Sequence, residues 1–131
     1  MALVVQKFGG TSVSDPQKIL AAAKRAAERH LAGDRVVVVV SAMGQQTDVL
    51  VDLARQINSQ PSAREMDMLL STGEQVSVAL FAMAIQSLGV QAVSLTGAQI
   101  GIRTDSTHTK ARIKSISTDH IRKLLDGGAM V

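Results

Sequence analysis

Residues 3–40 read LVVQKFGGTSVSDPQKILAAAKRAAERHLAGDRVVVVV, and this stretch decides the fold. Leu3 to Val5 are apolar and partly β-branched, so they predict a short strand that the Gly9–Gly10 pair ends. Val36 to Val40 is an unalternating β-branched run, which is typical of a strand buried on both faces. Because a helical segment separates the two runs, the order predicts a βαβ unit in a parallel sheet.

The helix between these strands has start and stop signals. Asp15 is suited to cap it, Pro16 fits its first position, and Gly33 supplies the stop. Apolar or small residues recur between them at helical spacing: Ile19, Ala23, Ala26 and Ala27.

Three further segments follow outward from the second strand. Thr47–Asp48 is predicted to cap a short helix that runs to Ile57. Pro61 is predicted to begin the next element, whose apolar pattern Ser71–Glu74 interrupts, so two helices or one kinked helix are expected. Val90 to Leu95 then predicts another strand.

The last third of the chain predicts a hairpin and a helix. Ile100 to Arg103 and the segment around Ile113 and Ile116 favour two short strands. Thr118 is predicted to cap a last helix, which Gly127–Gly128 would end. Ala129–Val131 resembles the start of a strand, so the chain is expected to be the front part of a longer domain.

Composition narrows the classes of function. The 131 residues fit one domain, and the absence of cysteine excludes disulfides and thiolate metal sites. Two Phe without Trp or Tyr leave few stacking platforms, so no nucleic-acid partner is expected. No apolar run approaching roughly 20 residues and no secretory signal are recognised, so no membrane partner and a cytoplasmic location are expected. Six Lys/Arg against two Asp in 103–123 indicate a solvated basic face or an anionic ligand.

Polar and glycine residues follow each predicted strand, where parallel sheets bind ligands. The first strand is followed by Lys7, Gly9, Gly10, Thr11 and Ser12, the second by Ser41 and, further on, Thr47. Paired glycines allow close backbone approach to an anion, and Lys7 adds a full charge. A tight turn with a surface lysine explains the first stretch equally well. The spacing matches neither a Walker loop nor a dinucleotide fingerprint.

Glu74 follows Gly73 at the interruption between two apolar stretches. By position it favours a role in capping the second helix, since acidic residues are common in first turns. The alternative is a carboxylate that faces the ligand and holds an ammonium group. His108, with Asp105 nearby, matches no known metal spacing.

Several stretches together resemble aspartate kinases within the amino-acid kinase fold. They are KFGGTS at 7–12, VVVVVSAMGQQTD at 36–48, REMDMLLSTGEQVS at 64–77 and SLTGAQIGIRTDSTHTKARI at 94–113. The resemblance implies a three-layer αβα sandwich with a mainly parallel central sheet, incomplete in this chain. Residues 1–131 would form the N-terminal part of the kinase domain, without most of the nucleotide pocket and without regulatory domains.

The same resemblance implies an activity and assigns roles. ATP, accompanied by Mg²⁺, would phosphorylate the side chain of L-aspartate to 4-phospho-L-aspartate, the first step toward lysine, threonine and methionine. Lys7 would neutralise the transferring phosphoryl group, and the phosphates would meet Gly9, Gly10, Thr11 and Ser12. Ser41 and Thr47 would lie in the aspartate pocket, and Glu74 would recognise the α-amino group. No protein residue is assigned to a metal.

Rival functions remain at this stage. Another amino-acid kinase, acting on glutamate, acetylglutamate or carbamate, would share the fold. A non-catalytic amino-acid-binding module would share the residues but not the reaction. For an aspartate kinase, the 131 residues alone are expected to be inactive, and a homo-oligomer is compatible with the sequence.

Overall fold

The computed structural model describes all 131 residues. The elements are four strands, five helices and one 3₁₀ turn at Gly10–Val13. The strands are β1 (Leu3–Phe8), β2 (Arg35–Val40), β3 (Ile102–Thr104) and β4 (Ile113–Ile116). The helices are α1 (Pro16–Leu31), α2 (Gln46–Ile57), α3 (Ala63–Gln86), α4 (Gly97–Ile100) and α5 (Asp119–Asp126).

The predicted βαβ unit is confirmed. β1 and β2 pair in parallel from Leu3 opposite Arg35 to Phe8 opposite Val40. The predicted strand at Leu3–Val5 was too short, because pairing with β2 continues through the polar part of β1. Lys7 is therefore a strand residue, and the loop begins only at Gly9.

Helix α1 begins and ends where its local signals predict. The Asp15 carboxylate accepts a hydrogen bond from the backbone N–H of Lys18 at 2.8 Å, and Pro16 is the first helical residue. Gly33, with a φ of 104°, permits the reversal that follows the helix. The buried stripe of α1 packs toward β2 and α3: Ile19, Ala22, Ala23, Ala26 and Ala27.

Helices cover the two faces of the sheet unequally. Val36 is fully buried in the core with α1 and α3, and the Phe8 ring lies 5.4 Å from that of Phe81 in α3. Arg35, which precedes Val36, points to the opposite face, where its guanidinium binds Asp126 of α5 at 2.8 Å. The arrangement is an αβα sandwich whose second helical layer consists of the short α5.

The expectation that the valine run is buried on both faces was wrong. Val39 is 45% exposed, and on the same face of β1 Leu3 is 47% and Val5 64% exposed. The reason is that α5 contacts only part of this face. Apolar strand residues therefore form an open surface here.

Helix α2 begins two residues earlier than a cap at Thr47 would allow. Gln46 is its first residue and Gln45 precedes it without a side-chain cap. The predicted Thr47–Asp48 cap was therefore wrong, and Thr47 lies inside the first turn. The helix ends at Ile57, as predicted, and the Ile57 side chain is 88% exposed.

Helix α3 is one continuous helix of 24 residues. It begins at Ala63, two residues after the predicted start at Pro61, and Ser62 caps it by accepting a hydrogen bond from the N–H of Glu65 at 3.4 Å. The hydroxyls of Ser71 and Thr72 donate to the carbonyls of Met68 and Leu69 at 2.8 and 2.7 Å. Because these hydroxyls bond within the helix, the polar stretch does not break it.

The sheet continues with the last residues of the chain. The predicted strand at Val90–Leu95 forms only one parallel bridge, between Ala92 and Met130. Val131 donates to the carbonyl of Val36 at 3.3 Å and accepts from the N–H of Val38 at 2.7 Å. The segment Met130–Val131 thus lies between β2 and Ala92 and bonds to both. This agrees with the strand start that was predicted at Ala129–Val131.

The predicted hairpin is present. β3 and β4 pair antiparallel with a bulge between Arg103 and Thr104, and α4 precedes them as a single turn with a capping box at Thr96. Thr118 occupies the N-cap position of α5 without making a cap. Its hydroxyl instead accepts a hydrogen bond from Arg122 Nε at 3.1 Å.

By length and composition alone, helix α3 is long and apolar enough to cross a membrane. Its most apolar stretch of 18 residues has a mean hydropathy of 1.5, although no apolar run of about this length was expected. Helices in the core of a protein can have the same length and composition, and α3 packs against α1, α2 and β2. The expectation of no membrane partner stays a prediction.

Candidate active site

The loops that follow β1 and β2 are in direct contact. The N–H of Gly44 donates to the carbonyl of Gly10 at 2.9 Å, and the N–H of Ser41 donates to the carbonyl of Phe8 at 3.1 Å. A Cβ placed on Gly10 would lie 2.8 Å from the carbonyl oxygen of Ala42. Position 10 therefore requires glycine, because a side chain would push the two loops apart.

A second glycine brings α3 to the same place. A Cβ on Gly73 would lie 3.0 Å from Ala42 Cβ, 3.6 Å from Leu50 Cδ1 and 3.9 Å from Gln46 Cγ. Gly73 is buried at this crossing, so its role is close packing and not interruption of the helix. Its neighbour Glu74 is thereby placed beside the loop after β2 and the start of α2.

Glu74 lies in the middle of α3 and is exposed. A residue at this position is far from the first turn, so the helix-capping interpretation was wrong. Its carboxylate has no cation within salt-bridge distance. The position leaves a free negative charge at the ligand end of the sheet.

Lys7 lies on the other face of the sheet from α3. Strand residues alternate, and the neighbouring Phe8 packs on Phe81 of α3, so Lys7 points away from that helix. Its side chain is exposed, and no acidic group pairs with it. A free cation and the free carboxylate of Glu74 thus occupy opposite sides of the strand ends.

Four predicted hydroxyl residues surround the contact between the loops. Thr11 and Ser12 lie in the 3₁₀ turn and are exposed, Ser41 directly follows β2, and Thr47 is in the first turn of α2. The backbone of Ser12 closes this turn by donating to the carbonyl of Gly9 at 3.1 Å. The structure brings the predicted residues into one region, with Lys7 on its far side.

A cavity of about 500 Å³ extends from Glu74 along β2. Ten of its fifteen lining residues are apolar, and α3 contributes the polar Ser71, Glu74 and Gln75. Thr96 and Gly97, which follow the third strand segment, lie on the opposite wall with Ile102 of β3. Mixed apolar and convergent polar lining is typical of small-molecule sites.

The chain contains no group of three or more His, Asp or Glu that could hold a metal ion. The pKa of Asp105, in the hairpin loop, lies below its usual value because the N–H of Thr107 donates to the carboxylate.

The contacts that Ala42, Gly44 and Gly73 make between the loops and α3 could not be assigned from the sequence. Gly44 has a φ of 50°, and its N–H makes the bond between the two loops. Two features of the sequence point to these contacts. They are the small residues at 41–44, directly after the valine run, and a glycine at position 73 inside an otherwise apolar helix. A glycine in such a helix usually has a packing or functional reason.

Comparison with known proteins identifies the family. The sequence profile of the amino acid kinase family matches residues 2–131. The chain belongs to the amino acid kinase family.

Members of the amino acid kinase family named aspartokinase resemble the chain over its whole length. It is 58% identical over 131 residues to the aspartokinase of Geobacillus stearothermophilus, covering 100% of this chain and 32% of that protein. The chain thus spans about a third of the length of the curated relatives it matches.

Solved amino acid kinase structures have the same fold. The aspartate kinase of Synechocystis superposes with a TM-score of 0.86 at 51% identity, over 98% of this chain and 21% of that one. E. coli aspartokinase III in complex with aspartate and ADP gives 0.82 at 22% identity, over 98% and 39%. The predicted α/β fold with a parallel sheet is confirmed.

Proposed function

We propose that the full-length protein transfers the γ-phosphoryl group of ATP to the side-chain carboxylate of L-aspartate. The products are 4-phospho-L-aspartate and ADP, and the reaction would begin the route to lysine, threonine and methionine in the cytoplasm. The observation that carries this proposal is the 58% identity to an aspartokinase across the whole chain. The contacts of Gly10 and Gly73, which assemble the required stretches, support it.

The chemistry requires positioning and charge stabilisation. A carboxylate oxygen of aspartate attacks the γ-phosphorus, the bond to the β–γ bridging oxygen breaks, and ADP leaves with the electron pair. Because the attacking carboxylate is already ionised at neutral pH, no general base is needed. The site then has to bring two anions together, which favours cations and N–H donors.

Each residue has a role consistent with its position. Lys7, a free cation on the outer face of β1, would compensate the charge of the transferring group. The backbone of Gly9 and Gly10, with Thr11 and Ser12, would receive the phosphates. On the other side, the hydroxyls of Ser41 and Thr47 would bind a substrate carboxylate, and Glu74 would bind the α-ammonium group. Mg²⁺ would accompany ATP, and no step here is assigned to it.

The test is turnover by the full-length protein. We expect ADP release with L-aspartate, and Lys7→Ala should lower kcat by roughly a hundredfold or more while changing aspartate affinity little, since this charge acts mainly in the transition state. Lys24→Ala, an exposed lysine on α1, is the matched control and should retain full turnover.

Two results would contradict the proposal. Activity with glutamate, acetylglutamate or carbamate and none with aspartate would assign a different kinase. Binding of aspartate and ATP in calorimetry without turnover would assign a non-catalytic module.

A further inference from the structure

The β3–β4 hairpin has little packing of its own. All four residues of β4 are exposed, including Ile113 at 62% and Ile116 at 56%. Two-stranded hairpins of this size are marginally stable in water without support from other elements. Its position must therefore depend on the contacts at its two ends.

The base of the hairpin is fixed by close backbone contact. The N–H of Ser117 donates to the carbonyl of Gly101 at 3.0 Å. Gly101 has a φ of 95°, and a Cβ there would lie 2.7 Å from the Ser117 carbonyl oxygen. This end of the hairpin has no freedom to shift without breaking the turn.

The tip is held by one carboxylate of α3. The N–H of Thr109 donates to both oxygens of Asp67, at 3.2 and 3.0 Å, and Nδ1 of His108 lies 3.1 Å from Oδ2. Thr109 is the one non-glycine residue with a positive φ, at 63°. Such a conformation is disfavoured for a β-branched residue, so the contact to Asp67 offsets a local cost.

One face of α3 carries both Asp67, which holds the hairpin tip, and the residues that line the cavity. Asp67 precedes Glu74 by seven residues, close to two helical turns, and Ser71 lies between them. Ser71 and Glu74 line the cavity, and Ile102 of β3 forms part of its wall. Holding the hairpin tip on Asp67 thus holds this wall in place over Glu74.

We propose that Asp67 is a positioning residue that fixes the β3–β4 hairpin against α3 and so sets the position of the Ile102 wall of the cavity that Glu74 lines. His108 and Thr109 are its partners. The identity of the ligand, L-aspartate, rests on the proposed function. The fixing of the hairpin by Asp67 does not depend on that function.

The first test measures hairpin opening without any substrate. In the full-length protein, Asp67→Ala removes both acceptors and introduces a better helix former, so α3 itself is preserved. We expect the amides of residues 102–104 and 113–116 to exchange with solvent roughly three- to tenfold faster, as loss of a half-exposed charged acceptor implies. Asp67→Asn keeps one acceptor oxygen and should give an intermediate rate.

The matched control is Glu65→Gln on the same helix, whose carboxylate pairs only with the neighbouring Arg64. It should leave hairpin exchange unchanged. Unchanged hairpin exchange in Asp67→Ala would overturn the proposal.

The second test links the hairpin contact to the substrate. For Asp67→Ala we expect the KM for aspartate to rise severalfold with kcat changed less than twofold, because Asp67 acts on the cavity wall and not on the reacting groups. A fall in kcat at unchanged KM would overturn this role. If the wild type shows no turnover with aspartate, the proposed function fails, while hydrogen exchange still decides whether Asp67 holds the hairpin.

Discussion

At the scale of single residues, Glu74 shows how position within an element changes an interpretation. Its neighbours in sequence suggested the start of a helix. In the structure the helix runs through it, and the carboxylate is left exposed and unpaired beside the loop after β2. A charge in this place is suited to bind a ligand and does little for the fold.

The corresponding prediction concerns Glu74→Gln in the full-length protein. We expect the KM for aspartate to rise roughly tenfold or more, because the substrate's ammonium group loses a charged acceptor. The unfolding midpoint should be unchanged. Glu28→Gln, an exposed glutamate on α1, should alter neither quantity. Unchanged aspartate affinity in Glu74→Gln would remove this residue from the substrate site.

Gly10 and Gly9 offer a matched pair for testing the contact between the loops. A Cβ at position 10 would collide with backbone atoms of Ala42 and Gly44, whereas a Cβ at position 9 would meet nothing within 4 Å. We expect Gly10→Ala to lower the free energy of unfolding by about 1–3 kcal/mol, as overpacking does, and Gly9→Ala to have little effect on stability. Chemical denaturation of both variants checks this, and equal stabilities would refute the assigned role of Gly10.

Residue roles that depend on distant contacts could not be predicted from the sequence. The predicted site residues were chosen because they follow strands or match a family motif, and their roles stay predictions: Lys7, Gly9, Gly10, Thr11, Ser12, Ser41, Thr47 and Glu74. Gly73 was interpreted as a break, since its real reason, the approach of Ala42 and Leu50, involves residues more than twenty positions away. A pattern within a short window carries no information about such neighbours.

At the scale of elements, α1 was predicted correctly because its signals are local. The cap, the proline and the terminal glycine all lie within a few residues of the helix ends. In contrast, the polar stretch of α3 suggested two helices, and the hydroxyl-to-carbonyl bonds of Ser71 and Thr72 that keep it continuous are visible only in three dimensions. β1 was predicted too short because its polar end depends on pairing with β2.

The cap of α1 provides a test at this scale. Asp15→Ala removes the carboxylate that accepts from the N–H of Lys18 at 2.8 Å. We expect a loss of about 0.5–2 kcal/mol in the free energy of unfolding, the usual effect of removing a cap. Asp52→Ala, at an exposed position inside α2, is the control and should cost less. A smaller loss for Asp15→Ala than for Asp52→Ala would show that the cap contributes nothing.

At the scale of the whole molecule, the second face of the sheet is the least covered part. Leu3, Val5 and Val39 are exposed there, and α5 contacts only a portion of it. The sequence predicted the parallel sheet and the sandwich. It did not predict this surface, because a run of valines looks the same whether one or two of its faces are covered.

We therefore expect residues 1–131, expressed alone, to self-associate and to show no kinase activity. Exposed β-branched strands with open edges favour pairing between chains. Size-exclusion chromatography over a range of concentrations checks the first part, and a coupled ADP-release assay checks the second. Val5→Lys should reduce association more than Val49→Lys, which changes an exposed valine on α2. A clean monomer, or clear turnover with aspartate, would contradict the respective part.

The position of Met130–Val131 between β2 and Ala92 has a consequence for the order of folding. β1, α1 and β2 lie within the first forty residues, so they can associate early through a short crossover. The segment that joins them latest in sequence enters the interior of the sheet and does not extend an edge. On a ribosome, the space between β2 and the Ala92 segment stays unfilled until these residues emerge. Contacts of such large sequence separation slow folding, so this insertion is expected to limit the rate at which the sheet closes.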